Sequence, residues 1–329
     1  MINQSLNELS DRLLDTIRRS RKNIPLESLS KRLKAPKADI IFALDLLRSA
    51  GYEIETDNVK FCRFKSAPDL LLATELKYRL KTKSLGHTVY SYKTLQSTNT
   101  IAARLADAGA PEGTIIVAET QSRGRGRQGR SWHSPAGMGI YLSIILYPDI
   151  NPETAPGLSI ISAVSLADVL AGYKGLKPQI KWPNDCLLNG RKTAGILTEL
   201  AGKPGRVHYV IVGVGININQ RRADFPEEIR KTATSVGREY KKNISRVKLA
   251  QDFLVNFEKD FLRFKKSGLK YFRKKILGYS SLVGKKVKLD KRGEIITGKA
   301  VDIDANGRLV VETPDGPLAV YGGEVTVIK

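Results

Sequence analysis

Gln121-Ser122-Arg123-Gly124-Arg125-Gly126-Arg127-Gln128-Gly129-Arg130 lies between two β-rich runs, residues 114–119 and 140–146. Glycine lets the backbone approach a ligand and present its N–H groups, and arginine adds rigid donors for phosphate. The stretch reads as a cationic loop suited to closing over an anion. The competing reading is a disordered arginine–glycine segment that binds RNA. Such segments occur in long low-complexity tracts, whereas this one is short and flanked by expected strands.

Outward from the loop, strands alternate with helices. Ser97-Thr98-Asn99 precedes an apolar helix at 101–106, and a long apolar helix follows at 158–170. Further strands fit 180–182, 196–200 and 209–214. Segments 246–264 and 268–277 read as helices with basic outer faces. The alternation argues α/β or α+β around a mixed sheet.

The two ends have a different character. Leu6, Leu9, Leu13, Leu14 and Ile17 repeat at helical spacing. A second helix fits 26–33, with Leu29 and Leu33 inward. A third fits 37–49, burying Ile40, Ile41, Leu44 and Leu47, with Pro36 at its start and Gly51 past its end. Strands at 52–54 and 59–61 then flank Asp57 and Asn58. Three helices and a hairpin make the winged helix-turn-helix plan. A connector, 66–83, carries an expected helix at 70–80. At the other end, strands at 286–289, 297–303, 308–312 and 318–321 alternate with turns at Lys291-Arg292-Gly293, Ala305-Asn306-Gly307 and Pro314-Asp315-Gly316, which reads as a small β-barrel. The chain is assigned to the α+β class with boundaries 1–66, 67–278 and 279–329.

Composition narrows the class. Among 329 residues the formal net charge is +22, and the excess is uneven: +4 in residues 1–65, +17 in 66–278 and +1 in 279–329. A lysine-rich solubilising surface and a docking face for an acidic partner both account for the middle excess. Two cysteines and three histidines supply neither a disulfide framework nor metal-ligand spacing. No apolar run reaches the roughly 18 residues of a membrane helix. A cytoplasmic setting is the expectation.

Two further motifs carry chemistry. Lys181-Trp182-Pro183-Asn184-Asp185 ends a β-run, and Lys192-Thr193-Ala194-Gly195 follows. Singly, each is an ordinary strand end or turn. Together they put a carboxylate and an ammonium on a hairpin able to face the arginine loop. A carboxylate holds Mg²⁺ or a hydroxyl, and an ammonium neutralises a carboxylate–phosphate anhydride. Gly213-Val214-Gly215-Ile216-Asn217 lacks the third glycine of a dinucleotide fingerprint. Its glycines serve either strand packing or close approach to a ligand, with Asn217 able to hydrogen-bond an adenine.

In this order, Ser97-Thr98-Asn99, the 124–129 loop, 181–185, 192–195 and 213–217 resemble the biotin protein ligases. The N-terminal winged helix and a C-terminal barrel ending in Gly322-Gly323-Glu324 extend the likeness over essentially the whole chain, to bacterial ligases that also repress the biotin operon. Lipoate ligases share the fold but lack the pairing of loop and Trp-Pro-Asn-Asp motif. The resemblance implies an N-terminal winged helix, a central mixed-sheet ligase domain and a C-terminal SH3-like barrel. It implies an ATP-dependent ligase that forms biotinyl-5'-AMP and transfers biotin to a lysine of a biotin carboxyl carrier domain, with Mg²⁺ accompanying ATP.

Roles follow from the same resemblance. Lys192, Arg127 and Asp185 are the catalytic candidates, Asp185 through ATP and Mg²⁺. Ser97, Thr98, Asn99, Gln121, Arg125, Gly126, Arg127, Lys192 and Gly195 are expected around biotin. Gly124, Arg125, Arg127, Arg130, Trp132 and Asn217 are expected around the adenylate. Lys31, Arg32, Lys34 and Lys37 are candidates for operator DNA, with Arg18, Arg19, Arg21 and Lys22 as further backbone contacts. The third helix nevertheless turns Ala38, Asp39, Phe42, Asp45 and Leu46 outward, an acidic and apolar face for a DNA reader. Operator binding and packing against another surface both remain open. The alternatives to a ligase are a regulator that reads the adenylate without transfer and a lipoate or octanoate ligase. A repressor of this kind is expected to pair as a homodimer.

Overall fold

The computed structural model describes every residue except Met1, Arg21, Asn58, Val59, Pro204, Arg292 and Lys329, and every described side chain except those of residues 2–5, 7 and 291. The turn residue Asn58, the strand start Val59, the turn residue Arg292 and the basic Arg21 therefore lie outside the described residues. The chain divides into Met1–Leu70 and Leu71–Lys329.

The first unit holds α1 (Ile2–Ser20), α2 (Leu26–Leu33) and α3 (Lys37–Ser49). Its strands β1 (Ile24–Pro25), β2 (Glu53–Asp57) and β3 (Phe61–Ser66) form an antiparallel sheet in the order β1-β3-β2. Both α2 and α3 keep the bounds expected from apolar spacing. Within α3 the buried set is Ile40, Ala43, Leu44 and Leu47, and Ile41 is only half-buried. The inward stripe thus takes in Ala43 in place of the expected Ile41. Phe42 and Leu46 remain exposed, at 51% and 38%.

The second unit opens with α4 (Ala73–Lys77), much shorter than the expected 70–80 helix. The reason is tertiary. The Gln251 amide donates to the carbonyls of Glu75, Leu76 and Tyr78, and the Glu258 carboxylate accepts from the N–H groups of Lys83, Ser84 and Leu85. These side chains take up backbone groups that helix continuation would have satisfied.

The central sheet comprises β4 (Val89–Leu95), β5 (Ile115–Gln121), β6 (Gly139–Leu146), β7 (Pro178–Lys181), β8 (Asp185–Leu188), β9 (Arg191–Lys203) and β10 (Arg206–Asn217). Its order is β4-β5-β6-β10-β9-β8-β7. Only the β4–β5 pair is parallel, so the sheet is mixed. On one face lies α5 (Thr98–Asp107), whose Ala102 and Ala106 meet Ile116, Ile145 and Ile211. On the other lie α6 (Gly157–Ala171) and α8 (Arg246–Ser267), over Val210, Val212, Val214 and Ile216. Alternate strand residues point to opposite faces. Gly213, Gly215 and Asn217 therefore face the α5 side, ahead of the helix N-terminus. Ser143 on β6 and Leu197 and Gly195 on β9, their partners across the ladder, share that face, as does Glu199 opposite Ile211. With glycines where side chains would stand, the sheet is hollowed there.

Two short helices, α7 (Val236–Tyr240) and α9 (Arg273–Tyr279), complete the helical set. The C-terminal strands β11 (Lys286–Lys291), β12 (Glu294–Ile303), β13 (Leu309–Thr313), β14 (Gly316–Val320) and β15 (Glu324–Val327) form an antiparallel sheet in the order β14-β13-β12-β11-β15. Its buried Val287, Leu289, Ala300 and Val325 belong to the same apolar core as the central sheet. The turn at Asn306-Gly307 presses into that core: a Cβ on Gly307 would stand 2.7 Å from Ile160, and the Gly307 carbonyl accepts from Trp182 Nε1 at 2.7 Å. No helix among the described residues is long and apolar enough to cross a membrane.

Candidate active site

The hollow face of the central sheet, the N-terminus of α5, the arginine loop and the β7–β8 turn enclose a cavity of about 520 Å³. Its wall includes Ser97, Thr98, Asn99, Gln121, Arg125, Gly126, Arg127, Arg130, Trp132, Asp185, Lys192, Gly195 and Asn217. Residues more than a hundred positions apart in the chain thus meet in one place. Gly124 is the exception among the site candidates, for it lies behind the wall. A Cβ there would stand 2.4 Å from the Trp132 carbonyl, and Trp132 N donates to the Gly124 carbonyl at 2.8 Å. Its part is to let the loop fold back on itself.

The floor is buried and uncharged. Ser97 caps α5, with Thr98 and Asn99 in its first turn, and all three are at most 4% exposed. Gln121 Oε1 accepts from Thr98 N at 2.8 Å, and Gln121 Nε2 donates to Ser134 Oγ at 3.0 Å. Ser143 Oγ lies 2.8 Å from Thr98 Oγ1 and 2.6 Å from Asn99 Oδ1. The close approach of Asn99 needs Gly213: a Cβ there would stand 2.0 Å from Asn99 Oδ1. Beside it the Trp132 indole lies over Gly215 and Gly195, where added Cβ atoms would stand 2.5 and 3.0 Å from the ring. The strand glycines serve packing and the hollow at once. Trp132 Nε1 is buried without a hydrogen-bond partner, against Gly215.

The lid is cationic. Residues 122–131 leave β5, tighten into a single 3₁₀ turn at Arg127–Gly129 and return through a bridge between Arg125 and Ser131. Each arginine facing the cavity is tied to a different element. Arg125 pairs with Glu199 of β9 at 2.7 Å, Arg127 Nη1 donates to Asn184 Oδ1 at 2.9 Å, and Arg130 pairs with Glu324 of β15. Burial pulls the Arg127 guanidinium below its ordinary pKa, an effect partly offset by the Asp185 carboxylate. That carboxylate pairs with Lys192 Nζ at 2.8 Å, and the ammonium also lies 5.4 Å from the centre of the Trp132 ring. The hairpin of β8 and β9 thus brings Asp185 and Lys192 together beneath the loop. Asn217 lines the cavity, but its amide is already engaged: it donates to the Thr234 carbonyl at 3.1 Å and accepts from Gln220 at 3.3 Å.

Several participants carried no signal in the sequence. Glu199, Ser143 and Ser134 stand outside every motif. Asn184 and Glu324 lie inside quoted motifs but had no expected partner. Counting alternate positions from Gly195 along β9 would have placed Glu199 on the site face, yet nothing local marks it. The DNA candidates Lys31, Arg32, Lys34 and Lys37 belong to the first unit, exposed at the end of α2, in the turn and at the start of α3.

Residues 91–217 match the biotin/lipoate A/B protein ligase family, and residues 282–327 match the biotin protein ligase C terminal domain. The chain is 36% identical over 299 residues to the bifunctional ligase/repressor BirA of Bacillus subtilis, covering 91% of this chain and 92% of that protein. It is 31% identical over 303 residues to the Escherichia coli protein of the same description, covering 92% of each. The biotin protein ligase from Aquifex aeolicus in complex with biotin and ATP is similar in structure, with a TM-score of 0.64 at 30% identity over 74% of this chain and 99% of that one. On these likenesses the chain belongs to the biotin/lipoate A/B protein ligase family, among its biotin protein ligases.

Proposed function

We propose that the chain forms biotinyl-5'-AMP from biotin and ATP, transfers the biotin to a lysine of a biotin carboxyl carrier domain, and represses a biotin operon with the adenylate as corepressor. The observation that carries this reading is one cavity with a neutral, buried floor and a cationic lid, which matches an uncharged ring system joined to a phosphate. Ser97, Thr98, Asn99, Gln121 and Gly195 hold the biotin rings. Arg125, Gly126 and Arg127 close over its carboxylate. Trp132 covers the adenine, Asn217 meets the adenine edge with its remaining hydrogen-bonding capacity, and Gly124 and Arg130 shape the loop above the nucleotide.

In the first step a biotin carboxylate oxygen attacks the α-phosphorus, and the bond to pyrophosphate breaks. Negative charge gathers on the α-phosphate and the leaving group, so catalysis needs fixed positive charge and no covalent nucleophile. Lys192 and Arg127 supply it, and Asp185 keeps Lys192 aimed. In the second step the neutral amine of the carrier lysine attacks the acyl carbon and AMP leaves. Until then the lid excludes water, which would otherwise hydrolyse the anhydride. Mg²⁺ fits this site as an ion that arrives with the nucleotide. Among the described residues no three His, Cys, Asp or Glu converge on one point, and Asp185 offers the single carboxylate that Mg²⁺ uses beside phosphates. When bound, the ion neutralises phosphate charge.

The three-domain division 1–66, 67–278 and 279–329 and its finer folds belong to the same proposal. The first is a winged helix-turn-helix, supported by α1–α3 and the β2–β3 hairpin. The last is an SH3-like barrel, supported by the antiparallel β11–β15 sheet. Lys31, Arg32, Lys34 and Lys37 contact operator phosphates, the chain pairs as a homodimer on DNA, and it works in the cytoplasm. The +17 excess of residues 66–278 steers an acidic carrier. Transfer at limiting carrier is then expected to slow as salt rises, and a salt-independent rate refutes steering.

The test is ATP–pyrophosphate exchange with biotin, lipoate and octanoate offered separately. Exchange with biotin alone is the expected result. Exchange with lipoate or octanoate instead moves the chain to the sister ligases, and no exchange with any makes it an adenylate reader. A gel shift on DNA upstream of biotin genes, with and without biotinyl-5'-AMP, tests repression. An adenylate-dependent shift is expected.

A further inference from the structure

Glu199 belongs to no motif, yet its two carboxylate oxygens reach two different parts of the site. Oε2 accepts from Asn99 Nδ2 at 2.7 Å, in the buried floor. Oε1 pairs with Arg125 Nη2 at 2.7 Å, in the lid. Asn99 is held in a single orientation, its Nδ2 also donating to the Leu197 carbonyl at 3.3 Å while Oδ1 faces Ser143 Oγ. Arg125 is half exposed and has no comparable packing. Glu199 itself is anchored on β9, where it pairs with Ile211 of β10. A rigid strand thus presents one carboxylate to a fixed amide and a loop guanidinium together.

We propose that Glu199 is a positioning residue that ties the lid to the rigid floor, holding Arg125 over the cavity. This rests on the ligase reading above, with the biotin ring in the floor and the adenylate under the loop. The fixed Asn99 amide holds the Glu199 carboxylate in place, and a carboxylate so held keeps Arg125 over the cavity. A lid held this way slows escape from the floor. The two oxygens are separable by mutation. Glu199→Gln keeps an acceptor for Asn99 and removes the charge facing Arg125. Glu199→Ala removes both.

The experiment loads the full-length protein with radiolabelled biotin and ATP, chases with unlabelled biotin, and follows free biotinyl-5'-AMP beside the KM for biotin. For Glu199→Gln, release is expected to quicken about 3- to 10-fold with KM within about twofold of wild type, the scale of a half-exposed charge-assisted pair. Glu199→Ala is expected to raise both release and KM. In a cycle with Arg125→Ala, the double variant Glu199→Gln/Arg125→Ala is expected to release no faster than Arg125→Ala alone. Release from Glu199→Gln at the wild-type rate, or additive effects in the cycle, overturns the coupling. Wild-type protein that makes no biotinyl-5'-AMP in the same assay overturns the ligase reading instead.

Discussion

The floor and the lid of the cavity adjoin where β5 ends at Gln121 and are built on opposite terms. In the floor, Thr98, Asn99, Gln121 and Ser143 are neutral, joined to one another, and carried by a helix end and sheet strands. In the lid, Arg125, Arg127 and Arg130 are charged, and each depends on one partner from a different element. A buried polar group left unpaired costs about 1–3 kcal/mol, so the floor keeps a single arrangement and discriminates by shape. Half-exposed ion pairs are worth about 0–1 kcal/mol each, so Arg125 and Arg130 are only loosely latched. One cavity therefore combines a rigid recognition surface with a loosely latched cover.

Removing the charge beneath the lid is the most severe way to test this contrast. Lys192→Ala is expected to lower biotin-dependent pyrophosphate exchange about 10²- to 10³-fold, as losing a transition-state donor does. Undiminished exchange would remove Lys192 from the chemistry. Next comes the floor. In Gly213→Ala the new Cβ meets Asn99 Oδ1 and displaces a buried amide. The KM for biotin should rise about 5- to 150-fold, the equivalent of one unpaired polar group, while the KM for ATP barely moves. Equal changes in both would mean that floor and lid are one unit.

Gentler changes address the cover alone. Arg127→Gly should still form the adenylate but release it about tenfold faster, the worth of one charge-assisted hydrogen bond, and so biotinylate bystander proteins. Firm retention of adenylate would show that other contacts hold the lid. The smallest effect is expected from Glu324→Gln, which breaks the latch to Arg130. The two side chains are 51% and 61% exposed, so release should change by no more than about fivefold. Raising ionic strength should erase that difference, whereas it should leave the Gly213→Ala defect in place.

The contrast also explains how much could be read from the chain alone. The bounds of α2 and α3 follow from local rules: apolar spacing inside, and Pro36 and Gly51 at the ends of α3. The chemistry-bearing motifs were equally legible, because glycine and arginine interleaved in a short loop have few other uses. Elements that exist only through partners were not legible. Strand β1 is two residues that pair with β3. Strand β8 begins at Asp185, inside what reads as a turn, and β15 is defined by its ladder with β11. The 70–80 helix lost its C-terminal end to Gln251, some 170 residues away.

By itself the sequence determined the parts: a mixed-sheet middle with a cationic loop, a helical start, a β-rich end, and the motifs whose residues line one cavity. Those are written in periodicity and in short motifs, where each residue's preference depends on its near neighbours. Only the tertiary structure decided which side chains answer the loop, namely Glu199 for Arg125, Asn184 for Arg127 and Glu324 for Arg130. Only it decided that glycines on β9 and β10 clear the ground beneath Asn99 and Trp132. Such pairings depend on strand register and on the face each residue presents, and register is set by the whole sheet rather than by any stretch of chain.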